Sequence, residues 1–275
     1  MGYGTNIIYV RLETKVSSAL KASTYAIKNL PWQIWRKKMI KNKDLDILKV
    51  LNKELKKYKV KLKFQYYDVC PFKENKIEIL EVILKYSELF SSIYNKIFIL
   101  SSLCDKYYKD SIPYLVKIYH SFINDVYEVP LDEMYLIHIC DTMAKINALE
   151  YIDLYESIIS CPMTQSAEPI IKMLAKANIE KIDNIIFNLI KKENLIPKAW
   201  LGELNEDCKY WCSLVALKCI VNKKDNKYLE FFKKLINDED MNWIKFTNSK
   251  YKDRLTINLK KQYKLLAEKG INKIK

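Results

Sequence analysis

The amino-acid sequence predicts a mostly α-helical protein, a short α-solenoid of antiparallel helix pairs. Three observations lead to this prediction: apolar residues recur at helical spacing along most of the chain, predicted helices follow one another in pairs, and glycine is scarce. Only four of the 275 residues are glycine, and none lies between Gly4 and Gly202. Sandwiches, barrels and propellers need many turns with positive φ, so the glycine content disfavours them. The glycine-rich motifs of Rossmann enzymes, P-loop NTPases and α/β-hydrolases are absent as well.

Residues 1–70 form a basic N-terminal unit that differs from the rest of the chain. Alternating apolar and polar side chains predict strands, and helical spacing predicts helices between them. In chain order the segments are a strand at 5–13, helices at 16–29 and 44–57, and a strand at 58–67, which together make a small β-α-α-β unit. The alternative is a helical cap, because Leu51, Leu55, Tyr58 and Leu62 also follow helical spacing.

The predicted domain boundary is Cys70–Pro71, because the residue before a proline is disfavoured in a helix. Residues 71–275 then form the second domain, in which no segment resembles a strand more than a helix. The predicted helices in this domain are 74–89, 91–105, 111–124, 131–145, 147–160, 166–177, 179–193, 207–222, 225–237 and 251–269.

The helix pairs recur at intervals typical of helical repeats. The interval is 31 residues from Met143 to Leu174 and 43 residues from Leu174 to Leu217. Two stretches carry a specific pattern: Ile99-Leu100-Ser101-Ser102-Leu103 before Ile112-Pro113-Tyr114-Leu115, and Leu214-Val215-Ala216-Leu217 before Tyr228-Leu229 and Phe232. On these residues the segment 91–237, about half of the chain, resembles HEAT and armadillo-like repeats.

This resemblance implies a HEAT-like repeat domain with an extended surface for binding other macromolecules. The sequence departs from the HEAT pattern in two ways: the arginine that many HEAT units carry in their second helix is missing, and the repeat length varies. The residues alone leave an irregular helical bundle as the alternative.

Charge is strong and unevenly distributed. The net charge is +14, from 44 lysines, three arginines and 33 acidic residues. Residues 1–65 carry +12 and residues 241–275 carry +8, which leaves −6 for residues 66–240. Two tryptophans lie among basic residues in the N-terminal unit, a combination that can bind phosphates and stack on bases or contact an acidic partner. The candidate surface for a polyanion or a partner is Trp32, Trp35, Arg36, Lys37, Lys38, Lys41, Lys59, Lys61 and Lys63. The alternative is a solvated lysine face with the tryptophans packed inward.

No catalytic, cofactor-binding or metal-binding residues are predicted. His120 and His138 are the only histidines, and His138 with Asp141 lacks a third metal ligand. Cys208, Cys212 and Cys219 share one face of helix 207–222, where we interpret them as core residues. Seven cysteines without a disulfide-type pattern, together with the absence of a transmembrane segment, predict a cytoplasmic protein.

The function expected from these features is that of a non-enzymatic scaffold that binds another protein. The alternative is a nucleic-acid-binding or DNA-glycosylase-like HEAT-repeat protein that uses its basic surface. A glycosylase would place aromatic residues and a carboxylate in a cleft, and the available residues are Trp200, Trp211, Trp243 and Asp207. Sequence-specific DNA binding is disfavoured, because arginine is scarce and lysine supplies charge without a fixed geometry.

Overall fold

The prediction of a mostly α-helical protein is confirmed. The structure is a computed structural model, and it describes residues 42–62, 77–124, 131–160, 165–177, 179–194, 209–239, 241–246 and 252–274. Of these residues, 79% are helical and none is in a strand. No helix in the described ranges combines the length and the apolar character needed to cross a bilayer.

Eleven α-helices lie in the described ranges, and each corresponds to one predicted helix. They are α1 (Asn42–Leu55), α2 (Ile77–Ser87), α3 (Ile93–Ser101), α4 (Ile112–Asn124), α5 (Leu131–Ile146), α6 (Ile152–Ser160), α7 (Glu168–Ala175), α8 (Glu180–Leu189), α9 (Trp211–Lys223), α10 (Leu229–Ile236) and α11 (Lys252–Ile274). Short 3₁₀ helices follow or precede some of them, at Lys56–Tyr58, Lys106–Ser111, Leu149–Tyr151 and Asn226–Tyr228. The predicted helix at 16–29 lies outside the described residues.

The helices pack in a regular order. From α3 onward, the odd-numbered helices contact one another in sequence: α3 packs on α5, α5 on α7, α7 on α9, and α9 on α11. Among the even-numbered helices, α4 packs on α6 and α6 on α8. Sequence neighbours such as α7 and α8 or α10 and α11 also contact each other. Most of these helices therefore pack against a second neighbour along the chain, and several also pack against a first neighbour.

The core contains the residues from which the repeat interval was measured. Met143, Leu174 and Leu217 are fully buried on α5, α7 and α9, three helices that pack in a row. Leu100 on α3 precedes Met143 by 43 residues and is also fully buried. Equivalent positions of successive odd-numbered helices thus contribute to one continuous core.

Two of the turns between paired helices share one construction. The side chain of Asp105 accepts a hydrogen bond from the backbone N–H of Tyr107 at 3.2 Å. Asp225 does the same with the backbone N–H of Lys227 at 2.9 Å. In both turns the third residue after the aspartate is a buried tyrosine: Tyr108 follows Asp105, and Tyr228 follows Asp225. The sequence D-x-x-Y therefore begins the second helix of two different pairs.

Several helices and turns end in the left-handed region without glycine. Positive φ occurs at Lys59, Asn147, Lys224 and Asp238, with values of 59°, 55°, 56° and 61°. Glycine is the usual residue at such positions, because a Cβ makes this conformation unfavourable. The scarcity of glycine therefore does not remove these turns; other residues adopt the strained conformation instead.

Residues 58–62 follow neither prediction for the N-terminal unit. The helix ends at Leu55 and a 3₁₀ turn ends at Tyr58, so the helix does not continue to Leu62. These residues also form no strand, because the backbone of Leu62 is hydrogen-bonded by a side chain instead of a neighbouring strand. Its N–H donates to Asn52 Oδ1 at 2.6 Å, and Asn52 Nδ2 donates to its carbonyl at 2.9 Å. Residues 63–67, the predicted strand at 5–13 and the boundary at Cys70–Pro71 lie outside the described residues.

Candidate interaction surfaces

Two of the nine residues predicted to bind a polyanion or a partner lie in the described ranges. Lys59 and Lys61 are both exposed, next to the end of α1. The other seven fall outside these ranges: Trp32, Trp35, Arg36, Lys37, Lys38, Lys41 and Lys63.

The structure places further lysines beside these two. Helix α1 buries Leu48, Leu51 and Leu55, whose i, i+3, i+7 spacing directs one side of the helix into the core. Its opposite side carries lysines that are all exposed. We call the whole set the lysine face, and its members are Lys43, Lys49, Lys53, Lys56, Lys57, Lys59 and Lys61.

Helix α1 is fixed to α3 through the buried carboxylate of Asp44. Asp44 Oδ1 accepts from the N–H and the hydroxyl of Ser91 at 2.9 and 2.8 Å, and Oδ2 accepts from Ser92 N at 3.1 Å and Asn95 Nδ2 at 2.7 Å. Burial acts to raise the pKa of Asp44, but the hydrogen bonds from Asn95 and Ser91 outweigh it and the pKa is lowered. The carboxylate therefore caps the N-terminus of a helix about 50 residues later in the chain, in addition to lying in the first turn of α1.

A second surface is the groove between α5 and α7, which we call the α5–α7 groove. Its volume is about 500 Å³. Apolar side chains and lysines both contribute to its walls, which consist of Asp141, Ala144, Lys145, Asn147, Leu149, Pro169, Lys172, Met173, Lys176 and Ala177. The groove thus combines an apolar lining with several basic groups.

The charges around the α5–α7 groove are only partly paired. Lys145 forms a salt bridge with Asp141 at 2.8 Å, and Lys172 forms one with Glu168 at 2.5 Å. Lys176 is exposed, and no residue in the described ranges forms a salt bridge with it. An anion can therefore approach its ammonium group from solvent.

This surface continues onto α9. The indole N–H of Trp211 donates to Glu168 Oε2 at 2.6 Å, which joins the first turn of α9 to that of α7. Cys219, two turns further along α9, is partly exposed, and burial raises the pKa of its thiol to about 11. The charge of Lys172 acts in the opposite direction and that of Glu168 in the same direction, so Cys219 faces the same pair of side chains.

The polar groups of the even-numbered helices connect neighbouring helices. His120 on α4 is hydrogen-bonded to Ser157 on α6 at 2.9 Å, and burial lowers its pKa, which keeps the ring neutral at pH 7. The carboxylate of Asp183 on α8 binds the ammonium groups of Lys223 and Lys227, the latter at 2.9 Å. Burial acts to raise the pKa of Asp183, but these two lysines outweigh it and lower the pKa.

The cysteines that we interpreted as core residues follow this interpretation only in part. In the described part of the chain, no three or more His, Cys, Asp or Glu side chains form a group that could hold a metal ion. Core packing is confirmed for Cys212, which is fully buried, whereas Cys219 is only partly buried. Cys208 lies outside the described residues.

Two tryptophans of the alternative glycosylase site lie in the described ranges, and both contact other side chains of the protein. Trp211 is bonded to Glu168, and the Trp243 ring lies 5.6 Å from Tyr210 and 5.2 Å from Tyr263. Trp200 and Asp207 fall outside the described ranges. Trp211 therefore contacts α7, and Trp243 packs against two tyrosines.

The groove lysines were not among the residues predicted from the sequence. One signal could have indicated them: Glu168, Lys172 and Lys176 recur every four residues and so lie on one side of a short helix. Such spacing is common on solvated helix faces. Residues with this spacing line a groove here only because α5 packs beside α7.

Comparisons with protein families, with curated proteins and with solved structures found no significant match to this chain. The likeness to HEAT repeats therefore rests on the residues quoted above.

Proposed function

We propose that this chain is a non-enzymatic scaffold of the α-solenoid type that binds another protein through the α5–α7 groove and the adjoining face of α9. The observation that carries the proposal is the order of helix packing. The odd-numbered helices from α3 to α11 pack in one row, and α4, α6 and α8 pack in a second row. A HEAT-like solenoid stacks the first helices of its pairs on one side and the second helices on the other.

The recurrence of equivalent positions supports the same proposal. Leu100, Met143, Leu174 and Leu217 are buried at successive intervals of 43, 31 and 43 residues, each on the first helix of a pair. The intervals fall in the range of helical repeats, although their variation exceeds that of a regular HEAT array. In this proposal the units, taken in chain order, are α3–α4, α5–α6, α7–α8 and α9–α10. Helix α11 packs on α9 and α10 at the end of the row.

The chemistry of the α5–α7 groove supports a protein as the ligand. Leu149, Pro169 and Met173 offer an apolar surface, and Lys176 offers an exposed positive charge at its edge. Such a groove favours a peptide segment with an apolar side chain next to a carboxylate, since apolar burial provides affinity and the charge pair provides orientation.

The acidic groups with lowered pKa values support a binding role over a catalytic one. Asp44 and Asp183 have lowered pKa values because each is hydrogen-bonded to residues of neighbouring helices. Both carboxylates therefore serve to hold helices together, and a general acid or base would instead need an open position facing a substrate.

Site-specific photo-crosslinking in cells tests this proposal. A benzophenone amino acid replaces Lys176 at the groove, and in a control protein it replaces Lys234, which is exposed on α10. We expect one protein to crosslink from residue 176 and not from residue 234. The double variant Lys172→Glu, Lys176→Glu should lose binding of that protein, whereas Lys117→Glu, Lys234→Glu, with the same change in net charge, should keep it. Equal crosslinking from both positions, or a product removed by nuclease, would overturn the proposal.

A further inference from the structure

The lysine face concentrates positive charge in a short stretch of the chain. Seven lysines lie between residues 43 and 61, together with the three acidic residues Asp44, Asp46 and Glu54. All seven lysines are exposed. The stretch thus has a net charge of +4 before the positions of the acidic groups are taken into account.

The acidic groups of this stretch are engaged elsewhere. The carboxylate of Asp44 is buried against α3, where it neutralises none of the exposed lysines. Glu54 is hydrogen-bonded to Tyr86, and this bond raises the pKa of the tyrosine. Among the residues that the structure describes, Asp46 alone forms a salt bridge on this face, with Lys49 at 2.8 Å. The charge that faces solvent is therefore more positive than the composition of the stretch indicates.

The lysines are held on a fixed backbone. Leu51 and Leu55 are fully buried and anchor α1, and the paired hydrogen bonds between Asn52 and Leu62 hold the turn that carries Lys59 and Lys61. The positive groups consequently keep their spacing along the helix and the following turn.

We infer that the lysine face binds the phosphodiester backbone of nucleic acid, independently of the α5–α7 groove. A helix of 14 residues is about 21 Å long. A DNA duplex presents one negative charge per about 1.7 Å of its axis, or about 12 phosphates over that length. A row of lysines matches such a row of phosphates in sign and in length, and it supplies attraction without base-specific geometry.

The structure favours nucleic acid over a lipid surface as the ligand. Leu48, Leu51 and Leu55 of α1 face the core. The exposed large apolar residues of this helix are Leu45 and Val50, at 37% and 51% exposure. An interfacial helix instead presents a continuous apolar face to the acyl chains. An acidic protein surface is also less favoured, because interfaces of that kind use arginine and aromatic anchors, and α1 contains neither.

The test measures binding of the full-length chain to a fluorescein-labelled 30-base-pair DNA duplex by fluorescence anisotropy, at salt concentrations between 50 and 200 mM. The triple variant Lys53→Gln, Lys56→Gln, Lys61→Gln is compared with the control variant Lys117→Gln, Lys192→Gln, Lys234→Gln, whose lysines are exposed on other parts of the fold. Both variants change the net charge by the same amount. Melting temperatures of all three proteins show whether the fold is kept.

The lysine-face variant should bind the duplex about tenfold more weakly for each lysine replaced, and the slope of log K against log salt should become shallower by about 3. The control variant should bind like the original protein. Equal weakening by both variants would show that only net charge matters and would overturn the inference. So would tighter binding to phosphatidylserine-containing vesicles or to polyglutamate than to the duplex at the same salt concentration.

Discussion

The ring of Phe232 on α10 occupies the space that a side chain at Gly270 on α11 would need. A Cβ atom at residue 270 would lie 2.6 Å from Phe232 Cε2, closer than non-bonded carbon atoms approach. Phe232 is only 1% exposed, so its ring cannot move without repacking the core. Glycine within a helix is less favourable than alanine by roughly 0.5–1 kcal/mol. The close approach of α10 and α11 thus takes precedence over helix propensity at this position.

We expect Gly270→Ala to lower the free energy of unfolding by about 2 kcal/mol, because the added methyl group forces the Phe232 ring out of its position. Urea unfolding followed by circular dichroism measures the change. Asn272→Ala, at an exposed position of the same helix, is the control and should change stability by less than about 0.5 kcal/mol. A Gly270→Ala variant more stable than the original protein would show that the two helices are not in close contact.

Lys224 offers a stabilising substitution. This residue follows the last turn of α9 with φ at 56°, and its side chain is exposed. Lys224→Gly should raise the free energy of unfolding by about 1 kcal/mol, since glycine adopts this conformation without strain. Lys218→Gly, at an exposed position inside α9, should lower it by about 1 kcal/mol. Thermal melting of both variants checks the opposite signs, and a loss of stability in both would contradict the prediction.

The stability contributed by Asp44 should depend on pH. Its pKa is lowered in the folded state, so its contribution is fully present above the unfolded value of about 3.9 and is lost as pH falls through the lower folded value. Asp44→Asn should therefore destabilise the protein by about 2 kcal/mol at pH 7, because its amide cannot accept all the hydrogen bonds from Ser91, Ser92 and Asn95. The difference from the original protein should shrink below about pH 4.

Urea unfolding at pH 7, 5, 4 and 3 measures this dependence. Asp46→Asn serves as the control, since Asp46 pairs with Lys49 and both side chains are at least 70% exposed. Its effect should be small at every pH. A pH-independent effect of Asp44→Asn would indicate that the carboxylate charge does not contribute to the cap.

The thiol of Cys219 should react slowly with iodoacetamide in the folded protein. Burial raises its pKa to about 11, whereas a cysteine in an unfolded chain has a pKa of about 8.5. The thiolate fraction at pH 8 is then about 200-fold lower in the folded state. Peptide mapping by mass spectrometry gives the rate at this residue. In the folded protein the rate should keep rising up to pH 10, while in urea it should level off near pH 9; identical profiles would refute the assignment.

The helices could be predicted because their signals are local. The predicted segments 131–145 and 251–269 correspond to α5 and α11, and the buried residues of α9 include the expected Cys212. The start of α6 was predicted at residue 147 but lies at Ile152. The difference arises because Asn147 adopts positive φ and a 3₁₀ turn precedes the helix, neither of which alters the apolar spacing.

The long-range contacts could not be predicted, because they depend on which helices become neighbours. An aspartate in the first turn favours the start of its own helix, whereas the carboxylate of Asp44 also caps α3. Nothing in the local sequence indicates that Gly270 is required beneath Phe232. Likewise, Lys172 and Lys176 line a groove only because α7 packs beside α5.

The order of helix packing has a consequence for the way the chain acquires its structure during synthesis. Because each helix rests on partners one or two places earlier, most contacts join residues that leave the ribosome within a short time of each other. Low sequence separation between contacting residues speeds folding, and domains fold from the N-terminus while the remainder is still being translated. Asp44 is synthesised before the start of α3, which it caps. Each new helix can therefore pack on helices that are already synthesised, and little apolar surface stays exposed until a distant segment is made.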